Sequence, residues 1–328
     1  MTGSLREETA RRFVIALGGN AIIPAGQEGT YEQQVEITRG TMVQVARLAA
    51  AGHRVVMTHG NGPVVGNIIL RNDAGQARYG IPDMPMFVCG ADSQGGLGFM
   101  IQQALHNALL DEGLKIPVAT VVTQVLVDRE DPAFDHPTKP IGPFYDEQQA
   151  RVLERENGWT VVKDAGRGWR RVVPSPRPQE VVEWEAIRTL VDGGVLTIAT
   201  GGGGVPVIRD AAGHLQGVDA VIDKDRASDL LGRLIGADTL VIITQVDVVY
   251  AGFGTPQQEA LPVLDSVRAA AMLEADEFPP GSMGPKIESA LSFLAGGGGE
   301  VLITSPENLL AAIEGRAGTR IVTGDEGA

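Results

Sequence analysis

The residues best suited to chemistry in this chain are its few lysines and the glycines that stand near them. Of 27 basic residues only five are lysine: Lys115, Lys139, Lys163, Lys224 and Lys286. Genomic base composition can deplete lysine, but it does not explain where the remaining ones stand. Lys224 lies between two carboxylates in Asp223-Lys224-Asp225, at the start of a helical stretch. Acids suit the positive end of a helix and a lysine does not, so its placement hints at a bound anion. Lys286 closes Gly281-Ser282-Met283-Gly284-Pro285-Lys286, again at a helix start, and Lys139 lies in Lys139-Pro140-Ile141-Gly142-Pro143. Two loops, Gly18-Gly19-Asn20 and Gly60-Asn61-Gly62, let the backbone approach an anion, each with an asparagine donor beside it. Glycine cradles, positive groups and an organising carboxylate are what phosphoryl transfer requires.

Other chemistries lack their residues. No Walker pattern of Gly, four residues, then Gly-Lys-Ser/Thr is present. The loop from Gly60 reads Gly-x-Gly-x-x-x-Gly through Gly66, one residue too long for a dinucleotide fingerprint. The five histidines show no paired metal-ligand spacing, and no Gly-x-Ser-x-Gly elbow supports a hydrolase. A single cysteine, Cys89, excludes an internal disulfide and is expected to be a packed, inert thiol.

These loops need strands to end at them. Short β-branched runs at 13–17, 54–58 and 195–199 each lead into glycine, the last into Gly201 to Gly204, and 240–244 and 301–304 read as further buried strands. Stretches 31–51 and 223–234 carry apolar residues at helical spacing. Apolar strands alternating with helices predict an α/β fold: a mainly parallel sheet covered on both faces. The stretch 128–173, rich in Pro, Gly and charge and containing Trp159 and Trp169, is too long for a plain loop and is expected to fold as a small excursion or lid. The tail from Gly315 is expected to fray.

Composition narrows the partners. Acidic residues outnumber basic ones 41 to 27, a formal charge of -14, which disfavours nucleic acid and anionic membrane as general partners. No apolar run approaches the roughly 20 residues that cross a bilayer, and the first twelve residues carry no apolar core of a signal peptide, so a cytoplasmic protein is expected. Glycine is abundant, with 43 residues at the ends of apolar runs rather than in repeats.

Six segments, taken in order, resemble carbamate kinase of the amino acid kinase superfamily: Ala16-Leu17-Gly18-Gly19-Asn20-Ala21, His59-Gly60-Asn61-Gly62-Pro63, Lys139-Pro140-Ile141-Gly142-Pro143, Val172-Val173-Pro174-Ser175-Pro176, Ala220-Val221-Ile222-Asp223-Lys224-Asp225 and Gly281-Ser282-Met283-Gly284-Pro285-Lys286. The resemblance implies one three-layer α/β/α domain over 11–323, usually a homodimer. Its carbamate lobe would be 11–218, with a protruding lid at 128–173, and its nucleotide lobe 219–323. The reaction would exchange ATP and carbamate for ADP and carbamoyl phosphate, with Mg2+ arriving on the nucleotide, and would run toward ATP in arginine breakdown. Lys139, Lys224, Asp225 and Lys286 would be catalytic, Asp225 orienting Lys224 and Lys286. Gly18, Gly19, Asn20, Gly60, Asn61 and Gly62 would hold the acceptor. Gly201, Gly202, Asp223, Lys224, Asp247, Tyr250, Ser282, Met283 and Lys286 would face the nucleotide. The wider superfamily usually has a lysine where this chain has Ala16, a replacement carbamate kinases share and one that Lys224 would compensate. Thr255-Pro256 departs from relatives that carry Lys before the proline. Kinases of acetylglutamate, glutamate or nucleotide monophosphates, and a catalytically dead nucleotide-binding regulator, are the alternatives. The Ala16 replacement argues against the first group, and the retained lysines against the second.

Overall fold

A computed structural model describes residues 10–19, 22, 29–164, 168–278 and 282–324, and strands and helices are numbered in chain order. The apolar runs become strands within a residue or two of their expected ends. The central sheet has the order β15 (Val263–Asp265), β17 (Thr319–Val322), β16 (Glu300–Thr304), β12 (Thr239–Ile243), β1 (Arg12–Leu17), β2 (Arg54–His59), β9 (Leu196–Ile198), β3 (Val118–Thr120). Neighbours run parallel except β16 and β17.

Strand pleating divides the apolar residues between two cores. Phe13, Ile15 and Leu17 share one with α1 (Tyr31–Ala50), α3 (Met86–Asp111) and α9 (Leu309–Ile313). Val14 joins the other, with α5 (Trp184–Asp192), α6 (Lys224–Ile235), α7 (Ser266–Glu274) and α8 (Gly284–Ala295). The result is a three-layer α/β/α sandwich. Each fully buried side chain of this size contributes about 1.5–3 kcal/mol, so the two cores fix where the strands end. A second sheet, β11 (Leu215–Gly217), β10 (Val205–Arg209), β4 (Gln124–Val127), β8 (Pro178–Val181), sends Val125, Val127, Val181 and Ile208 into the α5–α8 core. A hairpin, β13 (Val249–Ala251) with β14 (Glu259–Leu261), completes the C-terminal half.

The excursion is a folded unit. Strands β5 (Lys139–Tyr145), β7 (Gly168–Val173) and β6 (Thr160–Asp164) form an antiparallel sheet carrying α4 (Glu147–Asn157). Arg151 stacks over Trp169 at 4.7 Å and Arg171 over Trp159 at 4.6 Å, which accounts for both tryptophans in so polar a segment. Ile141 and Val173 pack against Val65 and Ile69 of α2 (Gly62–Tyr79) and against Cys89, a buried thiol. Here backbones nearly touch. A Cβ on Gly66 would lie 2.2 Å from the Cα of Gly142, itself at φ +70°.

The expected frayed tail is not observed at 319–322. Those residues form β17 inside the central sheet, because Thr319 and Ile321 alternate into the core and Arg320 bonds Glu300 of the neighbouring strand. The glycines before them mask this short alternating pattern in the sequence.

Candidate active site

The carboxyl ends of β1, β2 and β12, the starts of α6 and α8, and the lid strands open onto one cleft of about 970 Å3. Parallel sheets place ligands at this edge, where strands stop and helices begin. Lys224 enters from the first turn of α6, and its stem passes so close to Gly60 that a Cβ there would lie 3.2 Å from the Lys224 Cδ.

At the centre is Asp225, whose side chain is only 4% exposed. Its Oδ1 accepts from Lys224 Nζ and its Oδ2 accepts from Lys286 Nζ at 3.1 Å. Burial alone would push the Asp225 carboxyl up, but the Lys224 and Lys286 charges outweigh it and hold the group below the ordinary carboxylate range. Burial pulls Lys224 below the ordinary lysine value, opposed by Asp225. One carboxylate therefore fixes two ammonium groups side by side. The backbone beneath is tied down as well: Thr58 donates to Ser228, which donates to the Lys224 carbonyl at 2.6 Å.

Asp223 works at two scales. Its Oδ1 caps α6 by accepting from the N–H groups of Asp225 at 2.9 Å and Arg226 at 3.4 Å. Its Oδ2 accepts from Lys139 Nζ at 2.6 Å, which carries the lid strand across the cleft. Burial raises the Asp223 pKa, yet Lys139 and, beyond it, Lys224 and Lys286 bring it well below the ordinary range.

The glycine loops differ from expectation in one respect. Gly18 and Gly60 line the cleft, but their N–H groups are spent on the carbonyls of Ile243 at 3.1 Å and Leu17 at 2.9 Å. They extend the sheet and give close approach, while Gly19 and Asn61 keep N–H groups with no protein acceptor among the described residues. The first-turn N–H groups of α2, beginning at Gly62, have no intrahelical partner. Asn20 lies outside the described residues.

Of the residues expected at the nucleotide, Gly202, Asp223, Lys224, Ser282 and Lys286 line this cleft. Gly201, Met283, Asp247 and Tyr250 are not among the lining residues described. Gly201 packs against His59 and Gln94, Met283 against the α5–α8 core, Asp247 accepts from Asn308 Nδ2 at 3.0 Å, and Tyr250 stands 6.1 Å from Phe253. The lining also holds Lys163, one of the five lysines singled out but given no role, Ser175 of a quoted motif, and residues that sequence reasoning passed over: Arg170, Arg226, Thr244 and Gln245. Thr244 and Gln245 stand at the end of an expected strand, so following that strand to its tip would have found them. Arg170, which donates to the Gly142 carbonyl at 2.9 Å, sits in an arginine pair with no distinguishing sequence signal.

The sequence profile of the amino acid kinase family matches residues 11–305. The chain is 50% identical to a carbamate kinase from Pyrococcus horikoshii over 94% of its length and 98% of the relative's. It is 49% identical to a carbamate kinase-like protein from Escherichia coli, over 94% and 98%. The fold superposes on a carbamate kinase from Giardia lamblia bound to AMP-PNP, with TM-score 0.88 and 42% identity, covering 96% of this chain and 99% of that one. The chain belongs to the amino acid kinase family, and within it to the carbamate kinases.

Proposed function

We propose that this chain transfers a phosphoryl group reversibly between ATP and carbamate, giving ADP and carbamoyl phosphate. The observation that carries this reading is the Asp225 carboxylate holding Lys224 and Lys286 together in a cleft bounded by two glycine loops. Carbamate is already ionised, so its oxygen attacks the γ-phosphorus without a general base. The chain's part is positioning and charge. N–H groups at Gly19, Asn61 and the start of α2 hold the acceptor's oxygens. Lys224 and Lys286 face the charge that develops on the moving phosphoryl, and Lys139 brings a third cation from the lid. In this reading 11–218, with its lid at 128–173, holds the acceptor, and 219–323 holds the nucleotide.

A divalent ion, Mg2+, is expected with the nucleotide, where it supplies neutralisation of phosphate charge. The donor set fits that arrangement better than a dedicated cage, because Asp223 and Asp225 are both committed to lysines. The same reading carries a cytoplasmic homodimer working toward ATP in arginine breakdown.

The test is ATP formation from ADP and carbamoyl phosphate, with acetylglutamyl phosphate as the control donor. Turnover with the control alone would move the chain to another branch of the family.

A further inference from the structure

Asn61 stands at the N-cap of α2 yet makes no side-chain cap bond. An asparagine there ordinarily turns its carbonyl oxygen back onto the helix. Here the amide turns away, and its Nδ2 donates to Ser93 Oγ of α3 at 2.7 Å. Ser93 is fully buried, and its Oγ lies 2.6 Å from the Gly90 carbonyl oxygen. Two oxygens that close need a proton between them, so the single Ser93 hydroxyl proton is committed to Gly90. Ser93 can then only accept from Asn61, which fixes the amide with its nitrogen toward Ser93. Gly202 packs against the amide: a Cβ there would lie 2.2 Å from Asn61 Nδ2 and 2.9 Å from Oδ1, so only glycine leaves it room. The amide is clamped, and Oδ1 has no hydrogen-bond donor among the described residues.

We infer that Asn61 Oδ1 is the acceptor for the N–H of the small substrate, and that Ser93 is the positioning residue that holds the amide in that orientation. The inference rests on the carbamate reading and adds how the site would tell an amino group from its isosteres. Backbone N–H groups recognise oxygens, and an oxygen such as Oδ1 is satisfied only by a donor. Carbamate supplies N–H there. Acetate offers a methyl group in its place, which donates nothing. A fixed acceptor left unpaired by the wrong substrate discriminates far more strongly than a shape difference. The sequence reading expected Asn61 to serve as an anion donor. The structure commits one of its two amide protons to Ser93.

The test compares two phosphoryl donors to ADP, carbamoyl phosphate and acetyl phosphate, which release carbamate and acetate respectively. The readout is the ratio of their kcat/KM values in one enzyme preparation, which is unaffected by any loss of folded protein. Asn61→Ala is expected to lower the preference for carbamoyl phosphate by about tenfold or more, and Ser93→Ala by several-fold as the amide is released. Ser93→Thr keeps a hydroxyl able to reach the Gly90 carbonyl and should retain the preference. Wild-type turnover of carbamoyl phosphate with a ratio that neither Asn61→Ala nor Ser93→Ala changes overturns the inference alone. No wild-type turnover of carbamoyl phosphate overturns the carbamate reading and the inference with it.

Discussion

Asp225 is the residue on which the site's electrostatics turn, and its two lysine partners give the most direct tests. Lys224→Ala and Lys286→Ala are each expected to slow turnover by roughly 10²–10³, the usual loss for one preorganised donor. A folded mutant within a few-fold of wild type would remove that lysine from the mechanism. Both lysines stood out in the sequence because a cation at a helix start needs a reason. Ser93 did not, since a buried serine inside an apolar helix gives no signal until Asn61 is seen against it. His59 was visible only as part of a motif, and its burial has a measurable consequence. It is 1% exposed, and burial pushes its pKa from 6.5 down to about 4, with the Gly60 carbonyl pulling weakly the other way. The unfolded chain therefore takes up the proton first as pH falls. His59 costs nothing above about 6.5, and by about 4 it has removed roughly 3 kcal/mol of stability, at about 1.4 kcal/mol per pH unit. Urea unfolding across that window should show the loss, and His59→Gln should flatten the slope. An identical slope in the variant would show that His59 is not the group that titrates.

At the level of elements, the lid is where sequence and structure meet least evenly. That 128–173 folds as a unit of its own was legible, because it was too long, too polar and too rich in Pro and Gly for a loop. Its docking was not, because its closest approach is between two glycines, Gly66 and Gly142, whose lack of a side chain leaves no pattern to read. Gly66→Ala places a Cβ against the Gly142 backbone, which cannot yield as a flexible side chain would. Overpacking of this kind costs about 1–3 kcal/mol. The expected result is faster proteolysis within 128–173 while the central sheet stays protected; equal cleavage rates would show that the lid does not depend on this contact. Lys139 is the lid's reach into the cleft. Lys139→Ala is expected to lower kcat and raise KM for the carbamate substrate while leaving ATP affinity nearly intact. Lys139→Arg should rescue poorly, because a broad guanidinium crowds a small acceptor. Steady-state kinetics with each substrate varied decides this, and a defect confined to ATP would exclude the lid role. The strands were easier to read than the lid. Runs such as 13–17 and 240–243 are buried on both faces and so appear as unbroken apolar segments. β17 was missed because four residues beside glycines offer too short a pattern, and only the neighbouring strands make them a strand.

Over the whole molecule, a formal charge of -14 coexists with a cleft lined by Lys139, Lys163, Arg170, Lys224, Arg226 and Lys286 against Asp223 and Asp225. Within the cleft six cations face two carboxylates, a balance that suits a small anion, while the net charge of the chain repels a nucleic-acid backbone. DNA and RNA are expected to bind no better than non-specifically at physiological salt. Sub-micromolar, sequence-dependent retardation in a gel would contradict that.

The place of β17 also bears on how the molecule is made. A ribosome delivers the chain from its amino end, and β1, β2, β3 and β9 can pair with one another from residues 12–198. On the other side, β15 has β17 as its sheet neighbour, so 263–265 must wait more than fifty residues for a partner. Until 319–322 emerge, one flank of β16 is an open template for foreign strands. The nascent protein would then pass through a late interval in which six of the eight strands can pair while the β15–β16 edge stays open. Chaperone demand should be greatest in that interval, and a chain cut before residue 319 should aggregate rather than stay soluble as a slightly shorter enzyme.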